Sequence, residues 1–519
     1  MRLQCAQVYG SEAWRQVLLQ CGVPMTVGHG AGIDASHASV LIVDGRLSKE
    51  DGEEVHEYLL RGGAVIGSAS DLAPAIGMTV RRAYVRYLVD DRDVRWCDLL
   101  DLETHCDIPR EANILRTEQG VASVFAGAIG GGWAVLLPFD LQHVWEQYSR
   151  SYRQFPSRYD RLPFELVSSV PRADLTMLVG KALEFLHHRQ GLPYARLWPF
   201  PGGAPSVFGV RLDTDKANRT EIDDYVNCSR TTGVPFTWFV DTGSHAGFLD
   251  CFGAMGDQEI GVHCQRHVVY RSVDDFRTDI RLARTRLQRI GLQPTAYAAP
   301  FGEWSTELGE AIDDSQLAYS SEFTLGYDGL PFVYRTRSKG YLTPQIPVHP
   351  VSTGALRRAG YTRDRMVSYY SSVLRRKLAR QEPCLLFDHP VHRNHEVVKN
   401  VVINARANGV LPMRLGDYAR WWQTRNAVLD ALSLDWDHGT LTSSCPDPGV
   451  IDPSVFLRVT TPTGSSLQPI GSRFTVGNLG ERQQVDDAFS LDDIRRSREF
   501  DLRTAFGIAT MMLQRRLRQ

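Results

Sequence analysis

Residues 207–215, VFGVRLDTD, and residues 259–267, EIGVHCQRH, decide how this chain is read. Each is a short apolar run that ends in ionisable side chains: Asp213 and Asp215 close the first, His263 and His267 the second. Apolar runs of this length, without polar alternation, are the signature of strands buried on both faces. Working outward, PFTWFVD (235–241), TAYAAP (295–300), AYSSEF (318–323), CLLFDHP (384–390) and VLPMRL (410–415) have the same character and are spaced by helix-length segments. This alternation predicts an α/β fold, a distorted (β/α) barrel, over residues 201–425. The C-terminal strand ends of a barrel open on one mouth, so Asp213, Asp215, His263, Asp388 and His389 are expected to converge there.

His263 and His267 are four residues apart, a spacing that puts both imidazoles on one side of a helical turn and lets them share an ion. With one carboxylate from the Asp-x-Asp pair they make a facial set that leaves positions open for water and substrate; a closed structural site wants a fourth protein ligand. The structural alternatives are that Asp213 and Asp215 cap the next helix and that His267 is a core residue. His392 and His395 read as loop residues. His349 is either substrate-lining or buried, and Trp304 either stacks on a sugar face or packs inside.

With these motifs in order, residues 205–425 resemble the polysaccharide deacetylase (NodB-homology, carbohydrate esterase family 4) domain. The resemblance implies Asp213 as catalytic base, Asp215, His263 and His267 as metal ligands, and His389, in Leu386-Phe387-Asp388-His389, as general acid. It implies a divalent metal, Zn2+ first and Co2+, Ni2+ or Mn2+ as alternatives, and metal-activated water that removes N-acetyl groups from a glycan or glycan precursor. The third motif appears as Ala298-Ala299-Pro300-Phe301-Gly302, which assigns Pro300, Phe301, Gly302 and Trp304 to the substrate and oxyanion side. Ala298 stands where the family has an arginine that steadies the base, and YSSEF (319–323) replaces an acidic fourth motif; Arg211 and Glu322 are the candidates to compensate. Two other readings stay open: a non-sugar amidase or cyclic imidase on the same barrel, and a catalytically silent carbohydrate-binding or scaffold protein.

Upstream, residues 1–150 read as an open-sheet α/β domain. The stretch VLIVDGRLSKEDGEEVHEYLLRGGAVIGSAS (40–70) resembles class I glutamine-amidotransferase-like domains, with Gly67-Ser68-Ala69 where a cysteine elbow is expected. The missing cysteine predicts a non-catalytic domain, a candidate surface for a protein partner. Residues 151–200 read as a linker and helix. Residues 426–519 read as a small β module that ends in a helix over 500–519.

Composition fits a globular enzyme: 43% hydrophobic and 23% charged residues, with a net charge of -2. So balanced a charge provides no field for nucleic acid. The nine cysteines are scattered and none forms a C-x-x-C pair, which argues against a disulfide framework. No apolar run reaches the ~18 residues of a membrane span and the first residues do not read as a secretory leader, so a cytoplasmic location is expected, with peripheral contact at the inner membrane face as the alternative.

Overall fold

The apolar runs form two sheets, one mixed and one parallel, in a computed structural model of the chain. The structure describes residues 1–476 except 29–37, 91, 93–95, 148–149, 155–160, 163, 337, 446–448 and 450; the expected helix at 500–519 lies outside the described residues.

In the first sheet Met25–Gly28, Cys5–Val8, Val40–Val43, Ala64–Ser68 and Gly132–Leu137 run parallel. The sheet then continues antiparallel through Ala122–Ile129, Ile114–Thr117, Val80–Val89 and Leu99–Pro109. It is therefore a mixed sheet, broader than the open α/β reading anticipated. Val80–Val89 and Leu99–Pro109 carry exposed polar residues on one face, so they lack the continuous apolar signal of the buried strands. The helix Lys49–Leu60 begins at Ser48, whose hydroxyl accepts from the Asp51 amide at 3.1 Å.

The second sheet is wholly parallel, in the order Tyr319–Ser320, Ala296–Tyr297, Glu259–Cys264, Thr237–Asp241, Val207–Asp213, Cys384–Asp388, with Leu411–Pro412 also paired to Val207–Asp213. It curves as a half-barrel. Between its edges runs the segment 345–349, which bridges Gln345 to Ser320 on one side and His349 to Leu386 on the other. Val207–Asp213 is buried at every residue and pairs with three strands, Thr237–Asp241, Cys384–Asp388 and Leu411–Pro412, and its C-terminal end opens among the neighbouring strand ends.

Residues 151–200 are not a free spacer. Arg150–Gln154 pairs with Phe164–Ser168, and the helix Arg172–Arg189 buries Leu175, Leu178, Val179 and Leu183. Tyr194–Leu197 joins Phe456–Thr460 and Ser465–Pro469 in one small antiparallel sheet, beside a second made of Ser433–Asp437, Thr440–Ser444 and Arg473–Thr475. Arg380, at the end of the helix Arg363–Arg380, ties the half-barrel to the preceding elements: its guanidinium donates to Asp98 at 3.0 Å, Asp174 at 2.6 Å and Glu382 at 2.6 Å. Ion pairs this deep fix geometry more surely than they add stability. Among the described residues no helix is long and apolar enough to cross a membrane.

Candidate metal centre

The strand Val207–Asp213 places Arg211 and Asp213 two residues apart, on the same face. The Arg211 guanidinium grips both carboxylate oxygens of Asp213, Nε to Oδ1 at 2.7 Å and Nη2 to Oδ2 at 2.6 Å. It also donates to the Ser321 carbonyl and hydroxyl, and it lies between the rings of Phe239 and Phe387, 5.3 and 5.7 Å from their centroids. Burial opposes the charge on Asp213, but Arg211 and the nearby His263 outweigh it and hold the carboxyl below its usual range. Asp213 thus has an arginine partner within its own strand, where Ala298 offers it none. Glu322 has a different job: it accepts from the Ala299 amide at 3.2 Å and the Ser320 hydroxyl at 2.5 Å.

Past Asp213 the chain turns back over the strand ends. Thr214 donates its amide to the Phe239 carbonyl at 3.0 Å, and its hydroxyl accepts from the Asp241 amide at 3.0 Å. Asp215 follows in a left-handed conformation, φ 39°, which Asp tolerates better than most residues. Its carboxylate reaches three imidazoles: Oδ1 is 3.2 Å from His263 Nε2 and 3.4 Å from His267 Nε2, and Oδ2 is 3.6 Å from His389 Nε2.

The protons on this cluster decide what fits it. His263 Nδ1 lies 2.6 Å from the Ala298 carbonyl, which can only accept, so Nδ1 carries the hydrogen. In the neutral ring Nε2 then points a lone pair at Asp215 Oδ1, and both atoms are buried without a hydrogen-bond partner. Two lone pairs 3.2 Å apart repel unless a cation or a second proton lies between them. A proton satisfies one pair of atoms. A divalent ion satisfies Asp215, His263 and His267 together, and these three present ligand atoms within 4.8 Å of one another. The donor set, two imidazoles and a carboxylate, suits Zn2+ or a similar ion, and the Nδ1 hydrogen bond to Ala298 is the outer support that ligating histidines use.

The route by which His267 arrives differs from the expectation. His263 ends a strand and residues 265–267 form a bend; the helix starts only at Val273. Asp279, on that helix, holds the bend by accepting from the amides of Gln265 at 2.8 Å and Arg266 at 2.9 Å. Sequence reading missed Asp279, although a signal exists: it sits on the buried face with Phe276, Ile280, Ala283 and Leu287, where a carboxylate needs partners.

On the far side of Asp215, His389 packs against Phe387 and His392, with ring centroids 5.4 and 4.9 Å apart. Burial pushes its imidazole below the ordinary histidine range, against the pull of Asp215 and Asp213. Asp388, His389 and His392 form a second grouping of ligand types. The Asp388 carboxylate, however, already accepts from Tyr225 at 2.7 Å and Thr353 at 2.8 Å and pairs with His392 Nδ1 at 3.3 Å, so it is satisfied by the protein itself.

Gly302 and Trp304, assigned to the substrate and oxyanion side, sit elsewhere, and for His349 the buried alternative holds. The Gly302 amide donates to the Ala299 carbonyl at 2.9 Å within the turn Pro300–Gly302, which removes it from oxyanion duty and leaves Phe301, at φ 61°, as the residue of that turn facing the mouth. Phe301 is exposed and its ring meets His267 edge-on, with centroids 4.7 Å apart. Trp304 is 2% exposed between Tyr334 and Tyr341, so it is core and not a sugar platform. His349 is buried between Asp328, 3.1 Å away, and the Tyr369 hydroxyl, 2.9 Å away. In the first sheet Ser68 caps a short helix, its hydroxyl accepting from the Asp71 amide at 3.3 Å and donating to the Asp71 carboxylate at 2.6 Å.

No family model matches the chain, and no curated protein does. Solved structures that resemble it include a Mycobacterium smegmatis protein provisionally described as a polysaccharide deacetylase, 14% identical, with a TM-score of 0.38 over 44% of this chain and 93% of that one. PuuE allantoinase is 16% identical, with a TM-score of 0.37 over 44% of this chain and 93% of its own. A carbohydrate esterase family 4 pseudoenzyme from Bacillus anthracis, BA3943, is 14% identical, with a TM-score of 0.31 over 41% of this chain and 65% of its own. At these scores the likeness selects none of the three chemistries those names describe.

Proposed function

We propose that the half-barrel is a divalent-metal amide hydrolase that removes acetyl groups from an N-acetylated sugar in a glycan or its precursor. The observation that supports the reading most is the facing pair of unsatisfied atoms, Asp215 Oδ1 and His263 Nε2, beside a carboxylate already anchored by arginine. Asp215, His263 and His267 would hold the ion. Once bound, it would lower the pKa of water and polarise the amide carbonyl.

The remaining steps belong to the chain. Asp213, kept anionic and fixed in direction by the two Arg211 hydrogen bonds, receives the proton of the attacking water. His389, whose charge burial disfavours, starts as the neutral imidazole, takes over the proton that Asp213 received from the water, and passes it to the departing nitrogen as the C–N bond breaks. Phe301 forms the exposed edge of the mouth beside His267. For the first domain the proposal is a non-catalytic role, since the Ser68 hydroxyl is engaged as a helix cap. The test is acetate release from N-acetylglucosamine oligomers by zinc-loaded protein. Stoichiometric metal with no acetate from any glycan would refute the reading.

A further inference from the structure

The first sheet carries a cavity of about 320 Å3 far in sequence from the metal-ligand residues. It lies beyond the C-terminal ends of Ala64–Ser68 and Gly132–Leu137, the side on which open α/β sheets take their ligands. One wall is the antiparallel pair Val80–Val89 and Leu99–Pro109, in which Arg82 stands opposite Asp107 and Tyr84 opposite His105. Directly opposed residues share a face, so these four side chains form one patch, of which Arg82, His105 and Asp107 line the cavity while Tyr84 stands beside it. Tyr84 is 50% exposed, and its ring meets His105 edge-on with centroids 5.4 Å apart. The other wall holds Ser70, Asp140 and His143: Asp140 accepts from the His143 amide at 3.2 Å, and the Ser70 hydroxyl lies 2.9 Å from that of Ser68.

The lining defines a ligand class. It offers a guanidinium, two carboxylates, two imidazoles and hydroxyls, while Pro138, Phe139 and Val144 are its apolar members. Two carboxylates to one guanidinium disfavour an anion, and the polar majority disfavours a lipid. A neutral polyhydroxyl ring uses donors and acceptors together, with planar bidentate groups such as Arg and Asp well shaped for vicinal hydroxyls. The C–H face of a ring that extends past His105 would pack on Tyr84, the exposed aromatic next to the lining.

We infer that this cleft is a saccharide-binding site, separate from the metal centre, through which the first domain holds the glycan that the half-barrel acts on. The inference rests on the glycan reading of the preceding subsection, but its test reads binding and not turnover. Full-length protein is stripped of metal with a chelator and titrated calorimetrically with chitopentaose and with its de-N-acetylated form. Binding of either sugar, weakened about tenfold by Tyr84→Ala and by Asp107→Asn, is the expected result. Both positions are on the outer face of a hairpin, so both variants should fold and, reloaded with zinc, release acetate from monomeric N-acetylglucosamine at the unaltered rate. Failure of both sugars to bind, or binding that neither substitution changes, overturns the inference. Binding that depends on Tyr84 in a protein that releases no acetate upholds this site and refutes the deacetylase reading; acetate release without such binding does the reverse.

Discussion

Replacing Arg211 by Met removes a fully buried guanidinium while roughly keeping its volume. What remains is Asp213, 3% exposed, without its two closest donors, and a Ser321 carbonyl and hydroxyl without theirs. Breaking one side of a buried ion pair costs about 3–5 kcal/mol. Asp213 moderates that loss by taking up a proton, but a protonated Asp213 no longer accepts one from water, and loss of a positioned base costs roughly a hundredfold or more in kcat. Asp213 does not belong to the group Asp215, His263 and His267, so zinc content should stay at the wild-type level. Arg211→Lys should recover only part of the rate, because an ammonium cannot reproduce the two-point grip. Denaturant unfolding, kcat and metal content are the three readouts. An Arg211→Met protein with wild-type stability and wild-type kcat would refute the assignment of Arg211 as the residue that positions the base.

Glu322 is pushed up by burial from the usual 4.5 to about 7. A carboxyl raised on folding contributes stability below its unfolded value that is lost as pH rises through its folded one, here roughly 3 kcal/mol between pH 4.5 and 7. Glu322→Gln should therefore gain stability relative to wild type on going from pH 5 to pH 8, measured by urea unfolding; a pH-independent difference would contradict the burial argument. Asp279→Asn takes an acceptor from the bend that carries His267 and should weaken zinc binding by about tenfold in a chelator competition, with little change in fold. Equal affinity would mean the bend holds without it. Trp304→Ala should cost about 3–5 kcal/mol as a cavity in the core, and any surviving folded enzyme should keep its KM for the sugar. A raised KM with unchanged stability would restore the sugar-stacking role.

The half-barrel was legible because most of its strands are buried on both faces, so the apolar runs stand out without alternation, and those at 207–213, 259–264 and 384–388 end in or just before ionisable residues of the mouth. Part of the candidate site was legible for the same reason: Asp215, His263 and His389 sit at or just past strand ends, whereas His267 lies beyond one. The geometry between those points was not. The His-x-x-x-His spacing suits a helix and a strand-plus-bend equally, and only the Asp279 hydrogen bonds, made across 14 and 13 residues, decide for the bend. Arg211 was visible only as one candidate, because two-residue spacing on a strand gives a shared face but not a partner. The antiparallel half of the first sheet escaped because strands such as Val80–Val89 carry three arginines on their exposed positions. The pairing of Tyr194–Leu197 with Phe456–Thr460 joins segments more than 250 residues apart, a distance at which local pattern carries no information.

The central claim is that Asp215, His263 and His267 share one divalent ion. Anomalous diffraction at the zinc edge from crystals grown with Zn2+ tests it most directly. The account predicts a single strong peak about 2.0–2.2 Å from a carboxylate oxygen of Asp215 and from Nε2 of both histidines. No peak among those atoms, or a peak held instead by Asp388 and His392, would contradict it.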